Sequence, residues 1–144
     1  MSYLKILVHC VWTTRSRLPF LKDNIREAVI SHILENASAK DIYIDKLNGY
    51  NNHLHAIISL GGKQSISDVM QLIKGESSYW INKNKLTSNR FEWQNDFWAV
   101  SIGINHLKNL RRYIGNQVQH HLKKQVEDEL DKLVREYGLE RFED

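Results

Sequence analysis

The sequence predicts an α+β fold: a ferredoxin-like split βαβ unit with an antiparallel sheet, plus an added C-terminal helix. Three observations carry this. Apolar residues alternate with period two in residues 3–14, 41–47 and 53–60, which is the pattern of strands. Helical spacing replaces alternation in residues 23–39 and again after the third strand, from Ser65 onward. The order strand, helix, strand, strand, helix, strand, helix is then two βαβ halves around a hairpin.

Each element has its own local reason. In residues 3–14, Leu4, Ile6, Val8, Cys10 and Trp12 point one way, and Lys5, Leu7, His9 and Val11 the other. Both faces are largely apolar, so the strand belongs in the middle of the sheet. A basic loop follows, Thr13 to Pro19. Asp23 or Asn24 can cap the first helix, with Ile25, Val29 and Ile33 as its inner stripe. The second strand covers 41–47, and Gly49-Tyr-Asn-Asn52 carries turn residues into the third. Gly61-Gly62 ends that strand. Ser65-Ile-Ser-Asp68 resembles a capping box, and Ile66, Val69, Met70, Ile73 and Ile81 follow at helical spacing. Residues 91–101 are aromatic and fit two short strands around Asn95-Asp96. Residues 105–137 read as helical, with a break near Lys123.

Composition bounds the function. The chain has 144 residues, 42% apolar and 26% charged, which suits one globular domain. A single cysteine, Cys10, excludes a disulfide framework and a Cys-rich zinc site, and its apolar neighbours make it a small buried hydrophobe. No apolar stretch approaches the roughly 20 residues of a membrane span. The N-terminus lacks the layout of a signal peptide, so a cytoplasmic protein without a membrane association is expected. The net charge of +3 is uneven: residues 1–122 carry +6 and residues 123–144 carry −3. A basic body is compatible with a polyanion partner. The same division suggests a catalytic domain in 1–122 and an acidic helical tail in 123–144.

Two clusters carry chemistry. His53-Leu54-His55 lies on a strand, where i and i+2 share a face, so the two imidazoles can converge on one divalent cation. Leu54 then turns to the core with Ala56 and Ile58, while Ile57 and Ser59 share the histidine face. The triplet is also compatible with a structural role. A histidine-triad hydrolase would need a third His at Ile57. A two-His phosphoesterase would need His-X-Ser/Thr, and a zincin needs His-Glu-X-X-His. None is present.

The second cluster runs from Leu110 to His121. Tyr113 and Gln117 are i and i+4, on one helix face, and Leu107, Leu110, Ile114, Val118 and Leu122 can form the packed side. A tyrosine flanked by Arg111 and Arg112 can attack a phosphate that the cations hold. The same spacing also suits an amphipathic helix with a solvated polar face. Taken together, the clusters are two parts of one reaction. A cation on the His pair can polarise a phosphodiester, Gln117 can add a neutral oxygen ligand, and Tyr113 can attack.

These residues resemble the HUH-class single-strand DNA transposases with one catalytic tyrosine, including insertion-sequence transposases and their REP-associated branch. His53-Leu54-His55 is similar to the HUH triplet, and Tyr113-Ile-Gly-Asn-Gln117 to the nucleophile and third-ligand motif. Further likenesses are Val11-Trp-Thr-Thr-Arg-Ser-Arg-Leu-Pro-Phe20, Ile73-Lys-Gly-Glu-Ser-Ser78, Trp93-Gln94 with 97–101, and Gln119-His-His121 with the acidic tail. The resemblance spans roughly residues 5–140. Asn51-Asn52 stand where many members have Pro-Asp, which touches a turn or a bond to a ligating His. Ser16 stands where an aromatic is common.

The resemblance implies a DNA transposase that cleaves and rejoins single-stranded DNA at hairpin-containing ends. Tyr113 is the implied nucleophile, forming a 5′-phosphotyrosine and a free 3′-hydroxyl. His53, His55 and Gln117 are the implied ligands of Mg²⁺ or Mn²⁺. A homodimer is implied, in which the tyrosine helix of one subunit can complete the site of the other. Arg15, Arg17, Lys74, Arg111 and Arg112 are assigned to DNA phosphates. Trp98 or Tyr79 can stack a base or pack in the core. Two other functions remain open at this point: a domesticated DNA-binding protein without strand transfer, and a metal-dependent phosphodiesterase with Tyr113 as bystander.

Overall fold

The computed structural model describes residues 1–121 and 124–142. Four strands form one antiparallel sheet in the order β2-β3-β1-β4. They are β1 (Leu7–Thr13), β2 (Tyr43–Tyr50), β3 (His53–Ser59) and β4 (Trp98–Ile102). This order is the predicted split βαβ arrangement, with β1 and β3 at the centre. Every residue of β1 is buried, because the strand is paired on both edges and covered on both faces.

Helices α1 (Asp23–Ala39) and α2 (Ile66–Lys83) cover one face. Their Val29, Ile33, Val69, Met70 and Ile73 pack on Val8, Cys10 and Trp12 of β1 and on Leu54, Ala56 and Ile58 of β3. Full burial of each such aliphatic side chain is worth about 1.5–3 kcal/mol. Cys10 sits in this core, fully buried. Ser65 caps α2, its hydroxyl accepting from the Asp68 backbone N–H at 3.1 Å.

The opposite face has apolar ends and a polar middle. At one end Leu7 and Ile57 lie under Leu107 and Ile114 of α3 (Leu107–Gly115). At the other, Val11 lies under Val126 and Leu130 of α5 (Val126–Tyr137), with Trp98 alongside. The same face carries His9, His53 and His55. Pairing of Val11 with His55 and of Thr13 with His53 sets their heights along the sheet.

Several local expectations are corrected. Strand β2 continues through Gly49 and Tyr50, so the turn contracts to Asn51-Asn52. Gly49 permits this: a Cβ there would collide with the His53 carbonyl oxygen and lie 2.8 Å from Leu54 Cα. Helix α1 takes Lys22 as N-cap without a side-chain bond, and Asp23 instead pairs with Arg26 at 3.1 Å. Residues 91–97 give only a Thr14–Trp93 bridge before β4. The long C-terminal helix is divided: a 3-10 turn (Ile104–His106), α3, α4 (Gln117–His121) and α5. Asn116, at φ −101° and ψ 22°, interrupts the run between Tyr113 and Gln117. The expected break at Lys123, the packing of Leu122 and the 122/123 boundary lie outside the described residues. Among the described residues, no helix is long and apolar enough to cross a membrane.

Candidate metal and tyrosine site

Strand alternation puts His53 and His55 on the face away from α1 and α2, and both are fully buried. Their outer nitrogens are held by neighbours. His53 Nδ1 is 2.9 Å from Asn52 Oδ1. The Asn52 amide donates to the Arg17 carbonyl at 3.3 Å, which turns Oδ1 toward His53. His53 Nδ1–H therefore donates, and Nε2 keeps its lone pair. His55 Nδ1 is 2.9 Å from Nε2 of His9, a residue on the neighbouring strand. Such outer bonds fix the tautomer and ring orientation of ligating histidines. Asn52 thus performs the role that its departure from Pro-Asp put in question.

The inner nitrogens converge. His53 Nε2 lies 3.0 Å from Gln117 Oε1. Both atoms present lone pairs, and both residues are fully buried. A cation between them resolves that opposition, so the residues present fit a divalent ion. His55 Nε2 faces Glu129 Oε1 of α5. Among the described residues neither of these two atoms has a hydrogen bond of good geometry. One ligand atom from each of His53, His55 and Glu129 lies within 4.8 Å of the others.

Glu129 Oε2 also accepts from His121 Nε2 at 2.7 Å, and His120 Nε2 lies 3.2 Å from the same oxygen. Burial pushes its carboxyl up, but the His121 and His55 contacts outweigh that and hold it well below the usual carboxylate range. Burial, followed by the neighbouring His55, pushes His53 and His9 down to about 3. Both rings are therefore neutral at pH 7, as ligation and its supporting bond require.

Tyr113 reaches the same site from α3. Its ring centroid is 5.8 Å from that of His55, and its hydroxyl is 3.5 Å from His120 Nε2. Burial, then the Glu129 charge, raises the phenol above its ordinary value. Helix α3 is fastened to β2 of the same chain. Arg111 grips Asp45 with two bonds, at 2.7 and 2.6 Å. Asn48 donates to the carbonyls of Ile114 and Gly115 at 3.1 and 3.2 Å. A cleft of about 410 Å³ between β4, α3 and α5 opens onto His9, Tyr113 and Glu129.

The predicted phosphate contacts are dispersed. Arg15 and Lys74 line a second cleft of about 660 Å³ beside α2, with Trp93 and Gln94. Arg15 pairs with Glu92, and Lys74 donates to the Asn95 and Asp96 carbonyls. Arg17 pairs with Glu127 of α5 at 2.9 Å. Arg112 is exposed on α3. Arg111 is committed to Asp45, so its present contact is structural. Tyr79 is 64% exposed, whereas Trp98 packs with the Val11 cluster.

Sequence reasoning did not find His9 or Glu129 and left His120 and His121 unassigned. His9 had a signal: a histidine on the same strand face as Leu7 and Val11. Glu129 had none, being one of eight acids in residues 123–144.

Comparisons with known proteins bear on the fold and the family. No curated protein matches significantly. Among solved structures, a candidate transposase from Deinococcus radiodurans R1 superposes with a TM-score of 0.64 at 16% identity, covering 81% of this chain and 93% of that one. A REP-associated tyrosine transposase bound to a REP hairpin superposes with a TM-score of 0.62 at 22% identity, covering 89% of this chain and 76% of the other. At these identities the likeness shows the fold. The family described as "Transposase IS200 like" matches residues 2–117, a span holding His53, His55, Tyr113 and Gln117 together, and the chain belongs to that family.

Proposed function

We propose that this transposase-family protein cleaves and rejoins single-stranded DNA at hairpin-containing ends, with Tyr113 as nucleophile. One observation carries the reading. Within a single chain, the Tyr113 ring stands 5.8 Å from His55, over the same buried floor that holds His53 Nε2 against Gln117 Oε1.

His53, His55 and Gln117 would hold Mg²⁺ or Mn²⁺, which when bound supplies Lewis acidity to a phosphodiester oxygen. Asn52 and His9 keep the two imidazoles in ligating orientation. The Tyr113 oxygen attacks phosphorus, the P–O3′ bond breaks, and a 5′-phosphotyrosine forms beside a free 3′-hydroxyl. The phenol loses its proton and the departing 3′-oxygen gains one. His120, whose ring burial keeps on the neutral side, is the imidazole nearest the phenol and accepts that proton. Attack by another 3′-hydroxyl on the phosphotyrosine reverses the step and joins strands, so no water is consumed.

Arg15, Arg17, Lys74, Arg111 and Arg112 are the cationic groups for phosphates, with Arg15 and Lys74 sharing one cleft. Contact by Arg111 would exchange Asp45 for phosphate. A homodimer through the open edge of β4, which pairs on one side with β1, is consistent with the reading. So are a cytoplasmic site of action, where DNA is the substrate, and a 123–144 segment acting with the 1–122 catalytic domain.

The test is a denaturing gel with labelled single-stranded hairpins and Mg²⁺ or Mn²⁺, beside Tyr113→Phe and His53→Ala. A covalent adduct lost in both variants is expected. Binding without any adduct would replace the reading with a DNA-binding protein that lacks strand transfer. Cleavage that survives Tyr113→Phe would make it a metal-dependent phosphodiesterase.

A further inference from the structure

We propose that Glu129, on the C-terminal helix α5, is a fourth protein ligand of the cation held by His53, His55 and Gln117. The inference rests on the cation site of the proposed function. Four features of this chain support it.

First, Glu129 is a buried acid, 6% exposed, and among the described residues no lysine or arginine pairs with it. Its carboxylate oxygens lie against the imidazoles of His55, His120 and His121. Second, its Oε1 and His55 Nε2 face each other inside the protein, yet neither has a hydrogen bond of good geometry among the described residues. Two buried ligand-type atoms facing one point is the arrangement a cation satisfies.

Third, the remaining carboxylate oxygen is occupied. Glu129 Oε2 meets His121 Nε2 at 2.7 Å, and His121 Nδ1 donates to the Lys124 carbonyl at 2.7 Å. That chain of bonds orients the carboxylate and leaves Oε1 aimed at His55. Fourth, the helix is docked rather than merely adjacent. Val126 and Leu130, on either side of Glu129, are buried against Val11.

A carboxylate changes the site. Two imidazoles and an amide oxygen, all buried, leave the full dipositive charge uncompensated. An anionic oxygen halves it and shifts the donor set toward hard cations such as Mg²⁺ and Mn²⁺. It also couples the ion to α5, because binding at Glu129 holds Val126–Tyr137 on the sheet.

The experiment uses the full chain, stripped of metal, and titrates Mn²⁺ by calorimetry. Glu129→Gln should weaken Mn²⁺ binding about 10–100-fold, comparable to the loss of other groups that fix a metal site. The exposed control Glu140→Gln should not change it. His53→Ala should abolish it. A second measurement needs no variant: Mn²⁺ should slow amide exchange across Val126–Tyr137 in the unmodified protein. Unchanged or tighter Mn²⁺ binding in Glu129→Gln, or α5 exchange that Mn²⁺ leaves unchanged or speeds, overturns the proposal. If His53→Ala still loses binding in that case, the two-histidine site stands without Glu129. If the unmodified chain binds no Mn²⁺, both readings fall.

Discussion

Asn52→Ala tests how the His pair is held. Asn52 Oδ1 accepts from His53 Nδ1 at 2.9 Å, and its amide donates to the Arg17 carbonyl at 3.3 Å. The alanine removes both bonds and leaves the Nδ1–H of a fully buried imidazole without its acceptor. An unmet buried donor costs about 1–3 kcal/mol. For a domain of this size that lowers Tm by roughly 3–5 °C per kcal/mol. Metal binding suffers separately, because His53 is freed to rotate or change tautomer. Loss of such a supporting bond costs about 10–100-fold in affinity, or about 1.4–2.7 kcal/mol. Calorimetric Mn²⁺ titration measures the second effect, and thermal unfolding in EDTA the first. Asn52→Asp retains an acceptor for His53 and should keep Mn²⁺ affinity near that of the parent. Asn52→Ala with parental Tm and parental Mn²⁺ affinity would refute the orienting role.

Three further outcomes are expected. In EDTA, acid should destabilise the fold from pH 6.5 downward, because burial pushes His9 and His53 down to about 3 in the folded protein, from an ordinary imidazole value of 6.5. The unfolded chain binds more protons in that window, so stability rises with pH, by about 1 kcal/mol per histidine between pH 5 and 6. A flat Tm from pH 6.5 to 5 would contradict this. Gly49→Ala should cost about 1–3 kcal/mol or more, since its Cβ collides with backbone at the His53 carbonyl; denaturant unfolding reads it. Leu130→Ala should cost about 2–4 kcal/mol of α5 docking, seen as faster amide exchange in Val126–Tyr137 than in β1.

The sequence by itself determined the sheet, its inner face and the face on which His53 and His55 stand. Period-two alternation placed Leu54, Ala56 and Ile58 inward and His53 and His55 outward, and the β1–β3 register agrees. The wide apolar content of β1 placed it centrally. The Tyr113–Gln117 spacing brought both side chains to one site even though Asn116 breaks the helix between them. The strand features are local: side-chain direction there follows from backbone period alone.

Tertiary structure decided the rest. His9 reaches His55 because two strands 46 residues apart in sequence pair side by side. Asn52 stands where many members have Pro-Asp, and its bonds to His53 and Arg17 exist only in the folded chain. Arg111 is held by Asp45 of β2, a partner 66 residues away that no helical spacing announces. Glu129 was one acid among eight. Its place against His55 depends on α5 folding back over Val11. Long-range docking is set by which apolar patches meet. No local period encodes that choice.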